Sequence, residues 1–184
     1  MIENTRLSTL NYLLLGLLSR RPGTGYQLCR TIEQTPMALL SDSPGAIYPA
    51  LKKLARLHLI EKTEQESGRK GIHPFVATAA GVRALEGWIV GPMDPSAMVK
   101  NPSLMLLRLS FIDLVDVGQR QRVMEQYVTG LTQTVSNLSA FLEGTNGALA
   151  DGGAMAFDLA LTMLKAQLKW AQQKTKKPAE LDGC

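Results

Sequence analysis

The 184-residue chain is poor in cysteine, histidine and aromatic rings. Its two cysteines, Cys29 and Cys184, are too few for a disulfide framework, so a reducing, cytoplasmic setting is expected. His58 and His73 are the only histidines, and no Cys/His cluster has the spacing of metal ligands. Neither a phosphate-cradling glycine loop nor a nucleophile elbow occurs. Catalysis, a metal and a cofactor are therefore not expected. No cationic stretch leading into an apolar run and a small-residue cleavage site is present at the N-terminus. The apolar stretch from Leu7 to Leu18 is far shorter than the roughly 20 residues of a membrane-spanning helix. An aromatic content of 5% argues against an aromatic-rich ligand sandwich.

What the chain does have is apolar content and a localised charge. Hydrophobic residues make up 45% of it, enough for a core of one moderate domain or two small ones. Residues 1–90 hold eleven Lys and Arg against seven Asp and Glu, whereas residues 91–184 hold nine of each. The whole formal surplus of +4 thus lies in the N-terminal half, where an anionic partner would meet it.

The chain is organised around Ser41 to Ile60, SDSPGAIYPALKKLARLHLI. Ser43 is expected to cap a helix with Pro44 at its first position. Ile47, Leu51, Leu54 and Leu57 recur at helical spacing and define a buried stripe. The other side shows Gly45, Ala46, Tyr48, Lys52 and Arg56, with Lys53 beside them. Cations on an exposed face are commonly no more than solvation. They are also what a helix entering a DNA groove needs, with ammonium groups for phosphates and a hydroxyl for a phosphate or base edge. Pro49 stands about a turn inside the expected helix, where proline costs around 3 kcal/mol, and a broken local rule points to a constrained surface.

Residues 59–66 and 72–78 then read as two short strands around Ser67-Gly68-Arg69-Lys70-Gly71, a turn with two cations at its tip. Upstream, a helix from Thr5 to Arg20 capped at Ser8 is followed by one from Gly25 to Gln34, with Leu28, Cys29 and Ile32 facing inward. Tyr26 and Gln27 at its start are candidates for phosphate contacts; Tyr26 as a half-buried core residue fits equally well. Thr78 to Val90 forms a further helix. Helix, helix, strand, cationic tip and returning strand make a winged helix-turn-helix, so the fold class is mainly α with a small two-stranded β wing.

These segments resemble the PadR family of bacterial transcriptional regulators. The similarity rests on Leu14-Leu15-Gly16-Leu17-Leu18, Gly25-Tyr26-Gln27-Leu28, the run from Ser43 to Leu51, and Thr78-Ala79-Ala80-Gly81. Two departures stand out. Ile72-His73-Pro74-Phe75 occupies the returning strand, where the family often has Tyr with Lys or Arg, and Ala79 replaces a common acidic residue. The resemblance implies double-stranded DNA as partner, a homodimer, and relief by a small hydrophobic or aromatic effector. Trp88, Met93, Met98, Met105 and Trp170 could serve such an effector or simply pack a core.

A break at Gly91-Pro92-Met93-Asp94-Pro95 sets the expected boundary between a DNA-binding domain, residues 1–91, and a three-helix dimerisation domain, residues 92–184. The first of these helices, Pro102 to Leu114, is apolar at Leu104, Leu107, Phe111 and Leu114. Met124, Val128, Leu131, Val135, Leu138 and Leu142 then form a seam with steps of 4 and 3, matched by Phe157, Leu161, Leu164 and Leu168. Two such seams suit a homodimer interface; an intramolecular lobe is the other reading. The function expected is that of a sequence-specific, homodimeric transcriptional regulator, a repressor on an inverted-repeat operator. The rival is a protein-interaction module on a winged-helix scaffold that does not bind DNA.

Overall fold

In the computed structural model, the residues described are 7–35, 44–64, 73–92, 94, 102–145 and 149–176. They divide into two compact units, one of Met1–Ile89 with Ser103–Phe111, the other of Val90–Pro102 with Ile112–Cys184.

The first unit starts with α1, Thr9–Arg20, opened by a reciprocal cap. Asn11 N–H donates to Ser8 Oγ at 3.3 Å, and Ser8 N–H donates to Asn11 Oδ1 at 3.0 Å. Helix α2, Gly25–Glu33, opens the same way through Thr24 and Gln27. A 3-10 turn, Pro44–Ala46, leads into α3, Ile47–Arg56. Strands β1, Ile60–Lys62, and β2, Phe75–Ala77, pair antiparallel with Ile60 opposite Ala77 and Lys62 opposite Phe75. Helix α4, Ala79–Val90, starts with Gly81 N–H donating to Thr78 Oγ1 at 3.1 Å, so Thr78 is the cap its position suggested. Leu13, Leu14, Leu18, Leu54, Leu85 and Ile89 are fully buried and form the centre of this unit.

The strands are shorter than the sequence pattern suggests. Pro74 has no N–H for a ladder, yet its carbonyl accepts from Thr63 N–H at 2.8 Å and so ends the pairing at a defined register. Beyond the expected pair, Gly23 and Phe75 exchange two backbone hydrogen bonds of 2.9 Å, which ties the α1–α2 connection to β2.

Helix α5, Pro102–Ser110, lies past the expected boundary at residue 91 but packs with the first unit. The reason is a knob in a notch. The buried Phe111 ring fills the space where a Gly16 side chain would be. Arg20 Nη2 donates to Ser110 O at 2.9 Å and its guanidinium sits 5.5 Å from the Phe111 ring centroid. On α4, Arg108 Nη1 donates to Ile89 O at 3.1 Å and the guanidinium lies 4.9 Å from the Trp88 ring, which itself stacks on Tyr12 at 4.4 Å. Burial pulls the Arg108 pKa below the ordinary guanidinium value.

The second unit is built on α6, Val117–Gly144, and α7, Asp151–Lys176. With Ser103–Phe111 in the first unit, the long helices of the second among the described residues are these two, which form a hairpin. Phe141 meets Phe157 with ring centroids 5.4 Å apart near the loop, and the Tyr127 hydroxyl donates to Gln167 Oε1 at 3.3 Å farther along. Asp116 caps α6 by accepting from Gln119 N–H at 2.8 Å.

Helix α3 ends in a Schellman turn: His58 N–H donates to Ala55 O and Leu59 N–H to Leu54 O, both at 3.0 Å. His58 takes the left-handed position with φ 55°, which ordinarily belongs to glycine. His58→Gly should therefore stabilise the protein by about 1 kcal/mol, raising the melting temperature by about 2–4 °C. His58→Val should lower it, and calorimetry that ranked the two the other way would contradict the strain.

Candidate nucleic-acid interface

Helix α3 buries Ile47, Ala50, Leu51 and Leu54 and turns Tyr48, Pro49, Lys52 and Arg56 outward. Tyr48 is 59% exposed. Tyr48, Lys52 and Arg56 are spaced four apart and so share one stripe. Gly45 is exposed beside them, while Ala46 and Lys53 are half-buried at the edges. No side chain caps the helix start at Ala46.

The expectation about Pro49 is corrected by these bounds. Because the α-helix begins at Ile47, Pro49 is its third residue, in the turn whose N–H groups have no intrahelical acceptor. Proline is unstrained there, and Pro49 is no sign of a functional constraint. Ser43, the expected cap, lies outside the described residues, as do Arg69 and Lys70 at the wing tip.

Helix α2 contributes Tyr26, 64% exposed, and Gln27, also exposed. Gln27 Oε1 accepts from Thr24 N–H at 2.9 Å, which leaves the amide NH2 as the end that can donate to an anion. The two helices meet at Gly25. A Cβ there would lie 2.6 Å from Tyr48 Cε1, so the Tyr48 ring rests on a bare backbone. This contact brings the outward stripe of α3 together with Tyr26 and Gln27. Below them, His73 Nδ1 lies 2.9 Å from Thr63 O and fastens the base of the wing. Cys29 on α2 is half-buried, not fully packed as expected; burial and the Glu33 carboxylate push its thiol pKa up, away from the nucleophilic form.

The residues expected to pair two chains differ in their burial within one. Met124, Leu131 and Leu164 are buried in the α6–α7 hairpin, and Val128, Val135, Leu138, Leu142, Phe157, Leu161 and Leu168 are half-buried. The opposite face of α7 instead exposes Met155 at 73%, Leu159 at 60%, and also Met163 and Trp170. Met105 is buried and Trp88 is covered by Tyr12 and Arg108, while Met93 and Met98 lie outside the described residues.

Two helices in a helix-turn-helix, a two-stranded wing and a cationic outward stripe define a winged helix-turn-helix protein. Residues 14–87 match the model of the transcriptional regulator PadR-like family. The match with transcriptional regulator YqjI of Escherichia coli (strain K12) is 38% identical over 77 residues. It covers 42% of this chain and 36% of that protein, so the chain spans little more than a third of the curated relative it matches. Among solved structures, Bacillus subtilis PadR in complex with operator DNA is 20% identical with a TM-score of 0.44, covering 93% of this chain and 99% of that one. The PadR-like transcriptional regulator BC1756 from Bacillus cereus is 16% identical with a TM-score of 0.39, covering 92% and 98%.

One pair of cations escaped the sequence reading. Arg21 and Arg30 face a common cleft beside Tyr26 and Gln27. Arg21 reads as part of a helix stop, Arg20-Arg21-Pro22-Gly23, because nothing local says where the stop points. For Arg30 a signal existed: Tyr26, Arg30 and Gln34 recur every four residues along α2.

Proposed function

We propose that this chain is a sequence-specific DNA-binding transcriptional regulator that acts as a homodimer, with α3 as the reader in the major groove. The observation that supports it best is the shared outward face: Tyr48, Lys52 and Arg56 on α3, joined to Tyr26 and Gln27 through the Gly25 contact. Cations on that face suit phosphates and fix the helix in the groove, and the Tyr48 phenol suits a base edge. An inverted-repeat operator follows from two-fold symmetry, with half-sites about 34–36 Å apart, and a dimer seated there is proposed to act as a repressor. Footprinting the full chain on the promoter beside its own gene is the test. Two protected half-sites one turn apart would support the reading, and no protection at low salt would refute it. Relief by a small hydrophobic ligand is an implication of the family resemblance, and adding a phenolic acid to the same footprint tests it by loss of protection.

For the dimer surface we favour the outer stripe of α7 over the seam expected from heptads. Met155, Leu159, Met163 and Trp170 lie on the face turned away from α6, and a contiguous exposed apolar stripe is a common mark of an interface. Leu159→Glu with Met163→Glu should convert the protein to a monomer in sedimentation and weaken operator binding about 100-fold or more, through loss of the second half-site. An unchanged dimer would place the interface elsewhere.

A further inference from the structure

Beside α2 the first unit holds an open cleft of about 610 Å³. Its floor is apolar, with Leu17 and Leu28, and its walls are polar, with Arg21, Tyr26, Gln27, Arg30 and Thr31. Among the described residues no carboxylate lines it; Glu33 of the same helix lies outside the lining. Two guanidiniums with hydroxyl and amide donors over an apolar floor match one kind of ligand closely. That ligand has anionic oxygens at intervals and apolar rings between them, as in a sugar-phosphate strand.

The position of the cleft says which strand. Gly23 in its lining is backbone-paired with Phe75 at the base of the wing. Tyr26 and Gln27, three and four residues farther on, adjoin the seat of Tyr48 on Gly25. The cleft thus starts where the outward stripe of α3 meets the N-terminal end of α2, beside the wing base, and follows α2 from there. From Tyr26 to Gln34 it runs eight residues along the helix, about 12 Å, enough for more than one phosphate.

We propose that this cleft holds a segment of DNA backbone flanking the part read by α3, with Arg21 and Arg30 each neutralising one phosphate. The inference rests on the DNA-binding reading above and extends it to residues that contact no base. Such contacts add affinity for any sequence and leave the choice among sequences to α3.

The test uses the full-length protein and random-sequence duplex DNA, titrated between about 50 and 200 mM salt. Arg21→Ala with Arg30→Ala should lower the steepness of log K against log salt by about 1.8, two contacts at about 0.9 each. Arg21→Lys with Arg30→Lys should restore most of that slope, since lysine keeps the charge. A charge-matched control, Arg83→Ala with Arg122→Ala, removes two exposed cations outside the cleft and should leave the slope within about half a unit. If the wild type binds and the cleft variant keeps its slope, or the control loses as much, the cleft is not a phosphate seat. If the wild type does not bind duplex DNA at all, it is the DNA-binding reading that fails, and this inference falls with it.

Discussion

Gly81→Ala should lower the melting temperature by about 6–12 °C, corresponding to a loss of about 3 kcal/mol. A Cβ at position 81 would fall on the backbone carbonyl of Leu59 and within 3.1 Å of the buried Leu15 side chain. The carbonyl has no room to turn, because it already accepts from Thr78 N–H at 3.0 Å. Thr78 Oγ1 in turn donates to His58 O at 2.8 Å, so the same few atoms hold the end of α3, the start of β1 and the first turn of α4. Displacing them should loosen the reader helix as well as the core. Gly87→Ala, in the same helix, is the comparison that isolates the cause. Nothing lies within 4 Å of its added methyl, and alanine is the better helix former by up to about 1 kcal/mol. Melting curves in which both variants fall equally would mean that glycine at 81 matters for something other than close approach.

The three glycines that most shape this unit show what a sequence reading can reach. Gly16, Gly25 and Gly81 all lie in segments that resemble the PadR pattern, yet nothing near them in the chain says what occupies the missing side chain. The occupants are Phe111, Tyr48 and Leu59, at sequence separations that local pattern cannot span. Features that are local in physics were legible. Ser8 and Thr78 cap their helices, and the apolar stripes of α1, α3 and α4 turn inward as their spacing requires.

Periodicity tells which face of a helix is buried and not what buries it. Leu107 and Phe111 form one buried apolar face, and the Phe111 ring packs on Gly16 of α1, a partner that the spacing does not name. The heptad seam of α6 likewise faces α7 of the same chain at Met124, Leu131 and Leu164, which are buried there, and the spacing alone does not say whether a second chain adds to it. Pro49 misled for a related reason. The rule about interior proline is sound, but the helix began three residues later than the cap signal at Ser43 and Pro44 implied.

Tyr48→Ala should weaken operator binding about 10- to 100-fold, the range for losing a good base-edge or groove contact. Random-sequence DNA should lose much less, because the cations at Lys52 and Arg56 remain. Gly25→Ala should reproduce a large part of that loss with Tyr48 still present, since the added methyl and the Tyr48 ring cannot share one place. The ring must then swing off the start of α2, taking the phenol out of register with the stripe. Because both changes act through the same side chain, their effects should not add: the double variant should bind no worse than Tyr48→Ala alone. Tyr48→Phe separates the hydroxyl from the ring, and affinity close to wild type would assign the contact to the ring face. Additive losses in the double variant would show that Gly25 acts on the fold of α2, and that the two helices do not present one surface through this pair.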